Sequence, residues 1–117
     1  MSRTLILEDE EYRRLWFRKY MDYPEIVGTV SECISLLSQQ DYDELWLDHD
    51  LGTEPEVGRD VAKWLIANPD VQPRLNIFVH SINATSGPKM TRELQVGGRI
   101  VTYIPFHELI ARSAAHT

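Results

Sequence analysis

The stretch Leu45-Trp46-Leu47-Asp48-His49-Asp50-Leu51-Gly52 decides how the chain is read, because an apolar run of strand character passes straight into three ionisable side chains. Such groups at the mouth of a buried strand are costly to desolvate, and a fold keeps them where they bind a cation, a phosphate or a proton. The stretch therefore predicts a buried strand with a site at its carboxyl end.

Similar apolar, β-rich runs recur at Thr4–Leu7, Ile26–Val30, Asn76–Val79 and Ile100–Ile104. With Leu45–Leu47 they make five strands, each short and continuous enough to be covered on both faces. Helical spacing fills the gaps. Tyr12, Leu15, Trp16 and Tyr20 set one apolar stripe, Ile34 and Leu37 anchor a second, and Val57, Val61, Trp64 and Leu65 form a third. In ATSGPKMTREL (84–94) a fourth helix is expected to start with Ser86 or Gly87 as N-cap and Pro88 at its first position; PFHELIAR (105–112) opens a fifth. Five strand–helix units joined by right-handed crossovers predict an α/β fold, a three-layer α/β/α sandwich around a five-stranded parallel sheet of flavodoxin-like topology.

The bulk properties agree with one globular domain over residues 1–117, since 43% of residues are hydrophobic and 26% charged. A net charge of −6 argues against an extended grip on duplex nucleic acid and leaves room only for local phosphate contacts. Cys33 is the only cysteine, so an intramolecular disulfide and a thiolate cluster are both excluded. The short apolar start and the lack of any span-length apolar segment predict a cytoplasmic protein with no membrane contact.

In a parallel α/β sheet, ligands bind outside the carboxyl ends of the strands. Glu8, Asp9 and Glu10 follow the first strand; Asp48, His49 and Asp50 the third; His80, Ser81 and Asn83 the fourth; Tyr103 and Pro105 the fifth. Four segments far apart in the chain thus converge on one sheet edge. His107, His116, Trp16, Trp46 and Trp64 are read as structural, Cys33 as a buried hydrophobe and Tyr103 as the end of its strand. Arg59 is either a phosphate ligand or a surface ion-pair partner.

On LILEDE (5–10), LDHDLG (47–52) and IPFHELIAR (104–112), the chain resembles the receiver domain of response regulators over nearly its whole length. Ile104 stands where a receiver carries lysine. LDHD (47–50) and HSIN (80–83) are similar to the motifs of the cyclic-phosphate-processing receiver family. This resemblance implies hydrolysis of cyclic phosphates on nucleotides or RNA ends.

Opening such a ring needs a base for water, an acid for the leaving alkoxide and a counter-charge for the transition state. His49 and His80 are the expected acid/base pair, with Asp48 beside them. Glu8, Asp9, Asp48 and Asp50 are expected oxygen ligands of a divalent ion, Mg²⁺ or Mn²⁺; alternatively one carboxylate orients a histidine. Ser81, Asn83 and Lys89, at a helix start, are the expected phosphate-binding residues. The expected partner is a phosphate-bearing small molecule or an RNA end. The alternative is a degenerate, non-catalytic receiver that serves as a protein-interaction or signalling module, and a third reading has Asp48 as a phosphoacceptor.

Overall fold

The computed structural model describes residues 3–49 and 58–115. Strands and helices alternate along the chain: β1 (Thr4–Leu7), α1 (Glu11–Tyr20), β2 (Glu25–Val27), α2 (Val30–Gln39), β3 (Glu44–Leu47), α3 (Gly58–Ala67), β4 (Asn76–Val79), α4 (Ser86–Val96), β5 (Ile100–Tyr103) and α5 (Phe106–Ala115). The strands form one parallel sheet in the order β2-β1-β3-β4-β5, the architecture that the alternation predicts. None of the described helices is long and apolar enough to cross a membrane.

The two sheet faces follow from the alternation of side chains along each strand. Leu5, Leu7, Leu45, Leu47, Ile77 and Val79 face α2, α3 and α4, where Cys33, Leu37, Val61, Leu65 and Leu94 meet them. Ile6, Trp46 and Phe78 lie on the other face, under Phe17 of α1 and Phe106 and Leu109 of α5. Trp46 stacks on Phe78 at 4.5 Å. Leu5, Leu7, Leu45 and Leu47 have no exposed surface, and burying each contributes about 1.5–3 kcal/mol. The core is therefore split by the sheet into a larger aliphatic half and a smaller aromatic half.

Register positions the site. Leu7 pairs with Leu47, Leu47 with Val79, and Val79 with Tyr103. The residues that follow, Glu8, Asp48, His80 and Ile104, therefore stand in one row across the sheet edge. They share the strand phase of Ile6, Trp46 and Phe78, so the row continues the face covered by α1 and α5.

Three local expectations are corrected. The second strand is Glu25–Val27 and not Ile26–Val30, because Thr29 caps α2 by accepting a hydrogen bond from the Glu32 N–H at 3.2 Å, and Val30 begins that helix. Helix α4 begins at Ser86 and not after it; the Asn83 side-chain oxygen accepts from the N–H groups of Thr85 and Ser86 at 3.0 and 2.8 Å. Pro88 accordingly sits inside the first turn. The apolar stripe expected on α1 is not its buried face: Tyr12, Leu15 and Tyr20 are 54, 57 and 45% exposed, whereas Phe17 is fully buried. Phe17 and Arg13, four residues apart, form the inward edge, because the row of acids draws in a cation where an apolar residue was expected.

A second buried arginine fastens the opposite end of the fold. Arg99, just before β5, donates to the carbonyls of Leu65, Asn68, Val71 and Gln72 at 2.7–2.9 Å, tying the end of α3 to the start of β5.

Candidate functional site

Of the row past the strand ends, Glu8 and Asp48 lie in the floor of a cleft of about 200 Å³ lined by Glu8, Asp9, Glu10, Arg13, Asp48, Ser81 and Ile82. Glu8 has no exposed surface and Asp48 only 3%. Two carboxylates this deep need compensation, and they receive it from two cations or cation precursors. His80 Nε2 lies 3.0 Å from Glu8 Oε1, and the Arg13 guanidinium lies 3.4 Å from Asp48 Oδ2 and 3.7 Å from Glu8 Oε1. The Glu10 N–H donates to the second Glu8 oxygen at 3.0 Å, and Arg14 Nε donates to the Glu8 carbonyl at 2.7 Å.

These contacts set the charges. Burial pushes the Glu8 carboxyl up, but the hydrogen bond and charge of His80, the Glu10 N–H and Arg13 outweigh it and hold Glu8 below the ordinary carboxylate range. Glu8 is thus an anion that accepts a hydrogen bond from the His80 Nε2–H. Burial alone would lower the Arg13 guanidinium; Tyr12, Glu8 and Asp48 outweigh that and raise it. The guanidinium also sits over the rings of Phe106 at 5.2 Å and Tyr12 at 5.8 Å. Its Nε is buried without a hydrogen-bond partner, as is Nδ1 of His80.

Arg13 is the residue that sequence reasoning missed. Ile104, level with His80 at the end of β5, is packed in the aromatic half of the core, so the positive charge absent from β5 enters from α1 instead. Two signals pointed to it: a row of acids with no cation of its own, and an arginine one helical turn before Phe17.

The other expected site residues divide. Glu8, Asp48 and His80 come together, each offering a ligand atom within 4.8 Å of the others. Asp9 lines the cleft but is not in that group, and it also borders a neighbouring cleft of about 320 Å³ with Arg14, Gly28 and Glu32. Ser81 is buried in the lining; its hydroxyl accepts from the Asn83 N–H at 3.2 Å, and its carbonyl accepts from the Tyr103 hydroxyl at 2.9 Å. His80 is fully buried behind Glu8, its ring edge-on to Phe17 at 5.1 Å. His49 is half-buried, one residue beyond Asp48, and its carbonyl accepts from the Gly58 N–H at 2.9 Å. A Cβ at Gly58 would run into the Asp48 carbonyl, so this helix start fits against the site only as glycine. Asn83 is engaged in starting α4, and Lys89 is exposed on that helix outside the cleft. Arg59 pairs with Glu93 at 3.2 Å. Asp50, Val57 and His116 lie outside the described residues.

The carboxylates of Glu8 and Asp48 fit a divalent ion that shares them with Arg13, and His80 would become a third ligand only by giving up its hydrogen bond to Glu8.

A family profile described as the cyclic-phosphate processing receiver domain matches residues 3–96. No curated protein matches the chain. Among solved structures, the receiver domain of a sensor histidine kinase from Pseudomonas aeruginosa, with magnesium coordinated in its active-site cleft, is 18% identical with a TM-score of 0.66, covering 89% of this chain and 84% of that one. The signal receiver domain of a histidine kinase from Syntrophus aciditrophicus is 18% identical with a TM-score of 0.63, covering 97% and 86%. A Burkholderia pseudomallei response regulator with a phosphorylated aspartic acid and a calcium ion is 18% identical with a TM-score of 0.62, covering 88% of this chain and 59% of that one.

Proposed function

This chain belongs to the cyclic-phosphate processing receiver domain family, and from that premise we propose that it is a phosphoesterase that opens cyclic phosphates of nucleotides or RNA ends in the cleft above β1, β3 and β4. The observation that carries the reading is Arg13: a half-buried guanidinium, its Nε without a partner among the described residues, in the wall of a cleft whose other charged groups would repel a phosphate.

In this reading Arg13 binds the non-bridging phosphate oxygens and binds them more strongly as negative charge grows in the phosphorane-like transition state. Ser81, in the same wall, donates its hydroxyl to one of them. Water attacks phosphorus while Asp48 accepts its proton, the bond from phosphorus to one ribose oxygen breaks, and His49 protonates the departing alkoxide. The product is a phosphomonoester. His80 acts through Glu8: its Nε2–H fixes the carboxylate that holds Arg13 in place. Asn83 starts α4 and Lys89 stands outside the cleft, so neither takes part in the step. Mg²⁺ or Mn²⁺ held by the carboxylates of Glu8 and Asp48 would add Lewis-acid charge at the phosphate.

A second reading, a receiver that signals through protein partners without turnover, is supported by the likeness to receiver domains in fold. An assay separates the two. The purified protein is incubated with 2′,3′- and 3′,5′-cyclic nucleotides and with cyclic-phosphate-ended RNA, each with Mg²⁺, Mn²⁺ or chelator. The expected result is ring opening that disappears in folded Asp48→Asn and Arg13→Ala variants. Absence of turnover on every substrate, from protein with native circular dichroism, would leave the signalling module.

A further inference from the structure

We propose that helix α1 carries a track for a single RNA strand leading into the cleft, so that the substrate is the cyclic-phosphate end of an RNA chain and not a free cyclic mononucleotide. The chemistry at the end of the track rests on the phosphoesterase reading; the track itself rests on α1.

The helix stands apart from the rest of the chain in charge. Glu11–Tyr20 holds four of the twelve basic residues and one of the eighteen acids. A protein with a net charge of −6 thus concentrates cations along α1, of which Arg13 is paired with Glu8 and Asp48 in the cleft and Arg18 lies 3.9 Å from Glu11. Arg13 and Arg14 face the site, while Arg18 and Lys19 are exposed.

Interleaved with these cations is a row of aromatic rings. Spacings of three, four, seven and eight residues put Tyr12, Leu15, Trp16, Lys19 and Tyr20 on one helix face. Tyr12 meets Phe106 at 5.8 Å, Phe106 meets Trp16 at 5.4 Å, and Trp16 meets Tyr20 at 4.9 Å. The row begins at the cleft, where the Arg13 guanidinium touches the Tyr12 ring, and runs about 12 Å along the helix to Tyr20. Lys19 Nζ lies 5.3 Å from the Tyr20 ring centre.

Past the helix the same composition continues. Arg18, Lys19, Met21, Tyr23 and Pro24, with one acid, Asp22, border an open cleft of about 480 Å³. Tyr23 is 95% exposed and held at φ 45°, a left-handed conformation uncommon for a bulky residue.

Exposed apolar residues alone would suit a protein partner. The exposed rings of Tyr12, Tyr20 and Tyr23 beside Arg18 and Lys19, on a chain that is acidic elsewhere, suit single-stranded nucleic acid, whose bases stack on aromatic faces while its phosphates meet the cations. The position sets the direction: a strand lying along α1 from Tyr20 to Tyr12 brings its terminal phosphate to Arg13.

The test is fluorescence anisotropy with a labelled hexaribonucleotide ended by a 2′,3′-cyclic phosphate, the same hexamer with a free 3′-hydroxyl, and cyclic uridine monophosphate as competitor. The proteins are the wild type, Tyr20→Ala and Lys19→Glu, both at exposed positions outside the cleft. The cyclic-ended hexamer is expected to bind at least about tenfold more tightly than the mononucleotide, and more weakly with rising salt. Both variants should lose that advantage and keep the mononucleotide affinity. Equal affinity for hexamer and mononucleotide, or hexamer binding unchanged in both variants, would overturn the track even if the mononucleotide is opened. Hexamer binding that depends on Tyr20 and Lys19, without opening of any cyclic phosphate, would uphold the track and remove the phosphoesterase reading. A stripe that instead drives self-association, abolished by the same variants and with no RNA bound, would also refute the proposal.

Discussion

Removing the Arg13 side chain tests the electrostatic account of the site most directly. Arg13 Nη1 lies 3.4 Å from one buried carboxylate and 3.7 Å from another. At an effective dielectric constant of about 20, each contact corresponds to roughly 4–5 kcal/mol before the desolvation of the guanidinium is subtracted. Removal of one partner from a buried ion pair costs about 3–5 kcal/mol, so Arg13→Ala is expected to lose that much stability at pH 7. With a urea m-value of about 1–3 kcal/mol per M, the unfolding midpoint should fall by roughly 2 M. The loss should also depend on pH. Without Arg13, Glu8 loses a counter-charge beside the Asp48 carboxylate and takes up a proton more readily, so the deficit should be largest above the ordinary carboxylate range and shrink as the pH falls through it. Arg13→Lys should recover part of the loss, because it restores charge without the planar fork. Urea titrations of the wild type and both variants at pH 7 and pH 4 measure all of this. An alanine variant with the wild-type midpoint at pH 7 and no change in pH dependence would refute the reasoning.

Three further outcomes follow from the same geometry. Glu8 is held below its ordinary range in the folded state, so its contribution to stability is present above about pH 4.5 and is lost as the pH falls through the lower folded value; Glu8→Gln should flatten that acid limb in urea titrations, and an unaltered limb would assign it elsewhere. Gly58→Ala forces a methyl group against the Asp48 carbonyl, so it should lower the melting temperature and abolish phosphate binding by calorimetry, although no polar atom is removed. Burial pushes the Cys33 thiol up to about 12, so iodoacetamide at pH 8 should leave Cys33 unmodified in the native protein and label it in urea, as read by mass spectrometry.

Much of the architecture was legible because strands covered on both faces are continuous apolar runs, and Leu5–Leu7 and Leu45–Leu47 announce themselves without reference to neighbours. Glu8, Asp48 and His80 were legible for a related reason: each is the first polar residue after such a run, and parallel pairing then makes three separate positions into one row. Orientation was harder. Nothing in HSIN says that the His80 ring turns under Glu8; that depends on the strand phase and on Phe17 arriving from a helix sixty positions earlier. Arg13 was hidden because an arginine on an amphipathic helix usually marks the solvated face, and here the acids on the sheet edge reverse that rule. Asn83 was passed over for Ser86 because both residues can cap, and only the backbone decides which N–H groups the amide oxygen reaches.

The source of the site's positive charge also bears on the order in which the chain assembles during synthesis. Glu8, Arg13 and Asp48 all precede residue 49, and β1, β2 and β3 are neighbours in the sheet. A cation on β5 would leave the paired acids without any guanidinium until nearly the whole chain had emerged, whereas one on α1 lets the first three strands close with Arg13 beside both acids, and His80 joins Glu8 when β4 follows. A chain that folds from its amino-terminal part is most exposed to misassembly while its packing is incomplete and its strand edges are unpaired. Moving the cation from the last strand to the first helix shortens that interval, and Phe106 then arrives to cover an ion pair that is already made.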